Sequence, residues 1–447
     1  MCGLKIAYGV SFVDSRAELP GRPAGYLTSA RKDLYSKRLR LHLKIQDAVD
    51  GSLVVRVFLS RAHLSMAPAV IDLHTVDDLQ DAVHRAVQAL AEGKLVVLPT
   101  ETVYGIAASA LNEDAVARLS SVKRREPTQP FTLAIKSADE ALDYVPTLPP
   151  LAQRLARRCW PGPVTLVLDD EHPESLLKQL PPGVQTAVSL NGSVGLRVPA
   201  HDLVLALLRL TAGPIALTSA NRSGQPESLT AQQVIETMGD DVDLVLDDGR
   251  SKFGQPSSVI RIQRDHVELL RSGVINDKAL KRLSSLILLF VCTGNTCRSP
   301  MAELLMRNKL AERLECRLEE LEDRGVMVLS AGIAAMSGGR ASGEAHQTMT
   351  ERRLNLAQHE SQPLSERLVR FADLILTMTR GHRAAVLAQW PSADPRTRLL
   401  CREGCDVADP IGGPLEAYRS CADQIDAQLD AWVEEVDLTS YPSSFAT

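Results

Sequence analysis

Seven residues, Cys292-Thr-Gly-Asn-Thr-Cys-Arg298, put a thiol and a guanidinium at the two ends of a short loop. The apolar run Leu286 to Val291 leads into it, and Ser299-Pro300 follows with residue types that open a helix. Strand, loop and helix N-terminus in that order gather backbone N–H groups around an anion. Thr293, Gly294, Asn295, Thr296 and Cys297 would then line a phosphate. A cysteine at the first loop position sits in the same positive field, which favours the ionised, nucleophilic sulfur. Arg298 can grip two oxygens of a phosphoryl group as a fork, and the Ser299 hydroxyl can donate to the sulfur. A displaced leaving group needs a proton, and Asp409, in front of Pro410 on a Gly-rich loop, is placed to give it. Cys297 has two readings, a resolving thiol that forms a reversible disulfide with Cys292 or a small loop filler. Cys401 and Cys405 lack a companion His or second pair, so no metal site is expected.

A second set of polar residues lies upstream. Pro99-Thr-Glu-Thr-Val-Tyr-Gly105 follows the buried-strand run Leu95 to Leu98 and sets hydroxyls and a ring at a strand's C-terminal end. Lys123-Arg124-Arg125 puts three cations on a loop, which suits either a polyphosphate or a solvated basic face. Arg197 falls inside the strand-like Gly195 to Val198, where a cation is costly unless it meets an anion. Thr218-Ser-Ala-Asn221 ends another strand with hydroxyl and amide groups, and Ser257-Ser258 and Arg271 complete the set. No Cys/His or Ser/His pairing stands out here, so the chemistry of this half needs no protein nucleophile.

Alternating strands and helices must position both sets. Residues 77–92 carry apolar side chains at 79, 83, 87 and 90, one helical face, with Gly93 as the cap. Further strands are expected at 131–135, 164–168, 195–198, 215–218, 244–246 and 258–262, and helices at 114–122, 150–158, 202–210 and 230–238. After a polar, Lys-rich link over 276–285, strands follow at 286–291, 326–329, 374–377 and 398–401, with a last helix near 415–435. The fold class is therefore α/β: a mixed domain over 66–275, then a doubly wound domain over 286–440 and a tail over 441–447. The 447 residues are too many for one ordinary domain of ~150. The formal charge of −5 divides as +6 over 1–65, −7 over 66–275 and −4 over 276–447. Two acidic domains argue against strong direct nucleic-acid binding. Residues 1–65 read as a poorly ordered basic leader, and Met66 stands directly before the first patterned segment. No apolar run approaches the ~20 residues of a membrane helix. Without a signal pattern, eight scattered cysteines read as a reducing cytoplasm.

Val291 to Glu303, with Ser330-Ala-Gly332 and Asp409-Pro-Ile-Gly-Gly413, resembles the low-molecular-weight protein phosphatases over about 286–440. The resemblance implies a flavodoxin-like four-stranded parallel sheet and a cysteinyl-phosphate formed on Cys292. It also implies hydrolysis helped by Asp409, a phosphoprotein substrate and no cofactor. Thr296 resembles the protein-arginine phosphatases, where tyrosine phosphatases carry a bulkier aliphatic residue; Ile411 departs from the aromatic residue of the former. The upstream set resembles the threonylcarbamoyl-AMP synthases (YrdC-type fold) over about 70–275. That resemblance implies a twisted mixed α/β domain that makes threonylcarbamoyl-AMP and pyrophosphate from L-threonine, bicarbonate and ATP with Mg²⁺, upstream of a tRNA-modification machinery. Lys123, Arg125, Ser219, Asn221, Ser257 and Arg271 would hold ATP, with Thr102 and Arg197 near threonine. Departures are the missing His after the basic loop, Ser258 in place of Thr and Pro256 in place of Glu. An RNA-binding module on the same N-terminal fold, and a phosphotyrosine phosphatase, arsenate-reductase-like domain or phosphopeptide sensor on the C-terminal one, stand as alternatives.

Overall fold

The computed structural model describes residues 67–438, apart from 125–127, 170 and 265, together with the backbone of three earlier strands. Those strands, β1 (Val10–Val13), β2 (Leu39–Asp47) and β3 (Leu53–Arg61), pair antiparallel in the order β1-β3-β2 within a unit of residues 1–67. The rest of the expected leader, Arg125 and the expected tail lie outside the described residues.

In the second unit, residues 68–447, the first sheet is mixed. It is built from β4 (Ala69–Asp72), β5 (Val96–Leu98), β6 (Gly105–Ser109), β7 (Thr132–Ala134), β8 (Val164–Asp169), β9 (Ser189–Leu190), β10 (Ser193–Arg197), β11 (Ile215–Ser219), β12 (Leu244–Asp247), β13 (Ser258–Gln263) and β14 (His266–Arg271). The order is β14-β13-β8-β10-β7-β11-β6-β5-β12-β4, with β9 paired to β10. Both faces are covered. Leu133, Val194 and Val245 belong to one core, while Leu98, Val204 and Leu246 belong to the other. The helix Leu79–Ala91 is capped by the Asp78 carboxylate at its start. It ends where Gly93, at φ +76°, donates to the Leu90 carbonyl.

The second sheet holds β15 (Leu286–Cys292), β16 (Val326–Gly332), β17 (Leu374–Thr377) and β18 (Thr397–Leu399), all parallel in the order β16-β15-β17-β18. Every residue of β15 is buried, as a central parallel strand between helix layers requires. Cys292 pairs with Gly332, and Val291 with Thr377, so the C-terminal ends of three strands meet at one edge.

The expected link over 276–285 is instead a helix, Asp277–Ser284. The Asn276 side chain accepts from the Ala279 N–H, and Leu280 is fully buried in the core that holds Leu151 and Leu155. Its polar composition hid an apolar stripe of Ile275, Leu280 and Leu283.

The two halves are locked at one buried cluster. Arg154, Arg157 and Arg158, on the helix Pro150–Cys159, converge on Asp373 at the start of β17, at 3.1, 2.6 and 2.7 Å. Asp373 also accepts from the Ile287 N–H. The remaining donors go to backbone carbonyls. Arg158 reaches Leu283, Ser285 and Phe371, and Arg370 reaches back to Arg157 and Trp160. These carbonyls lie at or just past the C-terminal ends of the helices 277–284, 366–371 and 150–159, where helix dipoles favour cations. Burial pushes the Arg158 guanidinium down to about 10 despite the carboxylate.

Candidate active sites

The cysteine loop runs from the end of β15 into the helix Arg298–Arg313. The Asn295 N–H donates to the sulfur at 3.2 Å, and the sulfur and the Ser299 hydroxyl share a hydrogen bond of 2.9 Å in which either can donate. Asn295 is fully buried and left-handed, at φ +57°. Its side chain is held on both sides. The amide donates to Ser299 and Ser330, each at 2.9 Å, and the carbonyl accepts from the Gln362 N–H. Ser330 in turn donates to Glu303 at 2.6 Å. Burial raises the Glu303 carboxyl, opposed by that hydrogen bond. The loop packs so closely on β16 that a Cβ at Gly332 would stand 2.5 Å from the Thr293 carbonyl oxygen.

Arg298 is buried and donates to the Asp409 carboxylate at 2.5 Å and, more weakly, to the Val407 carbonyl. The structure therefore gives two hydrogen-bonded groups from this loop, Cys292 with Ser299 and Asn295, and Arg298 with Asp409. Thr293 adds a contact the sequence did not suggest, with His382 Nε2 2.9 Å from its hydroxyl, while His382 Nδ1 lies 3.0 Å from Thr379. Burial, then Arg298, holds the His382 imidazole below its ordinary value. The Cys297 sulfur is buried among the hydroxyls of Thr296, Ser342 and Tyr418 at 3.5–3.6 Å. Gly294 is the third of the loop's seven residues.

In the N-terminal half, Thr102, Arg197, Ser219, Ser257 and Arg271 line one polar cavity of about 80 Å³, with Thr100, Thr132 and Thr165. It has room for a small group, and a nucleotide would extend outward past it. Arg197 meets the anion its strand position demands: Nη2 donates to Glu101 at 2.7 Å and to Thr102 at 2.9 Å, and Nε to the Gly162 carbonyl. Glu101 also receives the Ala200 N–H. Glu101 has no assigned role in the sequence, yet an arginine inside a strand is itself the signal that a carboxylate must meet it. Arg271 clasps Ser257 through its carbonyl and hydroxyl. Lys123 and Asn221 are not walls of this cavity but stand behind Ser219. The Lys123 ammonium donates to the carbonyls of Ser219 and Asn221 and to the Asn221 side chain. Ser219 donates to the same Asn221 oxygen at 2.6 Å. Tyr104, wholly buried, donates to the Gly249 carbonyl, and burial pushes its phenol well up.

A parallel four-stranded sheet with a cysteine-arginine loop at its C-terminal edge defines the second half as a cysteine-dependent phosphatase fold. The first half is a mixed-sheet domain with a polar pocket. Residues 88–273 match the family model of Sua5/YciO/YrdC proteins, described as telomere recombination, and residues 287–440 match that of low molecular weight phosphotyrosine protein phosphatases. Threonylcarbamoyl-AMP synthase of Pyrococcus abyssi is 38% identical over 184 residues, 41% of this chain and 52% of that protein. The present chain thus spans about half the length of that relative. A putative threonylcarbamoyl-AMP synthase of Methanocaldococcus jannaschii is 32% identical over 193 residues, 43% of this chain and 86% of that protein. Protein-arginine-phosphatase of Geobacillus stearothermophilus is 36% identical over 153 residues, 33% of this chain and 95% of that protein. The chain belongs to both families, as a fusion of a Sua5/YrdC domain with a low-molecular-weight phosphatase domain.

Proposed function

We propose that the chain is a bifunctional enzyme. Its N-terminal half would condense L-threonine, bicarbonate and ATP into threonylcarbamoyl-AMP and pyrophosphate for a tRNA modification, and its C-terminal half would hydrolyse protein phosphoarginine. The Cys292–Ser299 pair, on the loop whose Arg298 meets Asp409, supports the second activity, and the polar pocket around Arg197 supports the first.

In the phosphatase half, the Cys292 sulfur attacks phosphorus while Arg298 forks two phosphoryl oxygens. The substrate phosphoryl group draws the Arg298 guanidinium from Asp409; the freed carboxylate takes a proton from solvent and, as the P–N bond breaks, passes it to the leaving guanidine nitrogen. Water then attacks the cysteinyl-phosphate. Asp409 accepts its proton, and the sulfur departs onto the Ser299 hydroxyl and Asn295 N–H. Thr296, a small hydroxyl-bearing residue in the loop, supports a guanidinium-bearing substrate over an aromatic ring.

In the synthase half, one Arg197 nitrogen beyond those bound to Glu101, Thr102 and Gly162 remains for the threonine carboxylate. Threonine's amine and bicarbonate give a carbamate with loss of water. A carbamate oxygen attacks the α-phosphorus, and pyrophosphate leaves. Arg271, with Ser257 and Ser219 beside it, faces the developing charge. Lys123 holds the Ser219–Asn221 turn and reaches phosphate by exchanging one of its carbonyl partners. Among the described residues no group of three His, Cys, Asp or Glu could hold a metal ion. Mg²⁺ carried with ATP would supply charge neutralisation for the pyrophosphate leaving group.

Two assays on the full chain test this reading. Pyrophosphate release should require threonine, bicarbonate and ATP together; release from ATP alone would sink the synthase assignment. Phosphoarginine and phosphotyrosine peptides should be compared side by side, and faster turnover of phosphotyrosine would refute the substrate reading.

A further inference from the structure

A cleft of about 510 Å³ opens beside the arginine cluster, walled by both halves. Arg157 and Trp160 face it from one side, and Arg370, Trp390, Ser392 and Arg396 from the other. Its size lies within the ~300–1,000 Å³ of ordinary small-molecule sites.

The charges around it do not balance. Arg154, Arg157, Arg158, Arg370 and Arg396 surround the single buried carboxylate of Asp373. Backbone carbonyls take many of their N–H groups: Arg157 reaches Arg370 and Ala372, Arg370 reaches Arg157 and Trp160, and Arg396 reaches Val369 and Ala372. Carbonyls supply dipoles, not compensating charge. The three guanidinium groups that face the cleft each retain a terminal nitrogen with no acceptor among the described residues. Asp139 and Glu366, also on the walls, are exposed and form no ion pair with them. Burial and the neighbouring Arg157 push Arg396 down to about 10, as expected where like charges gather. The lining thus carries three guanidinium groups against two exposed carboxylates, and low-dielectric walls with an excess of positive charge concentrate an anion.

We propose that this inter-half cleft is a binding site for a small phosphorylated anion, between pyrophosphate and a mononucleotide in size, held by Arg157, Arg370 and Arg396. Trp390, partly exposed on the wall, offers a ring face to a ligand that carries a base. The site is separate from both anion pockets described above, so it stands or falls without the proposed activities.

Titration of the full chain with pyrophosphate and with AMP, read by tryptophan emission, tests it, because two of the three tryptophans line the cleft. A saturable change is expected that weakens as salt is raised. Ser392→Glu places a carboxylate in the cleft at an exposed position and should weaken binding by roughly tenfold or more, as should Arg396→Gln. Arg271→Gln, in the N-terminal cavity, should leave the cleft affinity unchanged. Tighter AMP would identify a nucleotide ligand and tighter pyrophosphate an inorganic one. No saturable change, equal affinity in Ser392→Glu and Arg396→Gln, or loss of the signal in Arg271→Gln would each overturn the proposal.

Discussion

Replacing Asp373 by Asn keeps the shape of the side chain and removes the charge that joins the halves. The carboxylate now receives guanidinium N–H groups of Arg154, Arg157 and Arg158 at 3.1, 2.6 and 2.7 Å, and the Ile287 N–H at 2.9 Å. An amide retains one acceptor and turns the other oxygen into a donor that faces donors. Solvent offers little relief, since the Asp373 side chain is 14% exposed and that of Arg158 not at all. Breaking a buried pair by removing one partner costs about 3–5 kcal/mol. The carbonyls that also hold Arg154 and Arg158 argue for the lower end. In a domain of ~150–250 residues, the size of either half, each kcal/mol moves Tm by roughly 2–4 °C, so a fall of roughly 6–12 °C is expected by scanning calorimetry of the full chain. Acid should erase the difference. Burial raises the Asp373 carboxyl, but Arg158, Arg154 and Arg157 outweigh it and hold the group below its ordinary 3.8. Its stabilisation is therefore complete above that value and lost as pH falls through the lower native one. Equal Tm values for the two proteins at neutral pH would refute the view that this carboxylate clamps the molecule.

Cys292→Ser should abolish phosphopeptide turnover and leave threonine-dependent pyrophosphate release intact; residual hydrolysis at the wild-type rate would rule out the sulfur nucleophile. Arg197→Lys cannot keep the Nη2 contacts to Glu101 and Thr102 and the Nε contact to Gly162 while presenting a further nitrogen to substrate, so the KM for threonine should rise roughly 10- to 100-fold, as measured by pyrophosphate release. An unchanged KM would remove Arg197 from the threonine site. The imidazole of His382, lowered by burial and Arg298, contributes fully above its ordinary value of 6.5 and less as pH falls through its native value. Unfolding free energies between roughly pH 5 and 7 should then fall less steeply for His382→Gln than for wild type, and parallel slopes would contradict this.

Long-period signals in the sequence translated well. Leu286 to Val291 reads as a buried strand and becomes β15, and the last helix, expected near 415–435, spans Leu415–Glu435. The cysteine loop was legible because strand, Gly-containing loop and Ser-Pro helix start are local features. β6 was not, because Gly-Ile-Ala-Ala-Ser lacks the β-branched content of a strand. Small residues are what the site accepts, since a Cβ on Gly105 would stand 2.8 Å from Leu217 Cδ1. The arginine cluster was also invisible. Arg154, Arg157 and Arg158 fall on the helix expected over 150–158 without a role, because the carboxylate they meet lies more than two hundred residues away in sequence. His382 meets Thr293 in the same way, through topology rather than spacing.

The helix 277–284 has a practical consequence for dissecting the molecule. Excision upstream of it would pull Leu280 out of the first core, whereas a break after Ser285 leaves that residue seated. Even the later break would strip Arg158 of the carboxylate it meets at 2.7 Å. An isolated N-terminal fragment should therefore carry a raw cationic scar, prone to capture polyanions, and its salt requirement would differ from that of the intact chain.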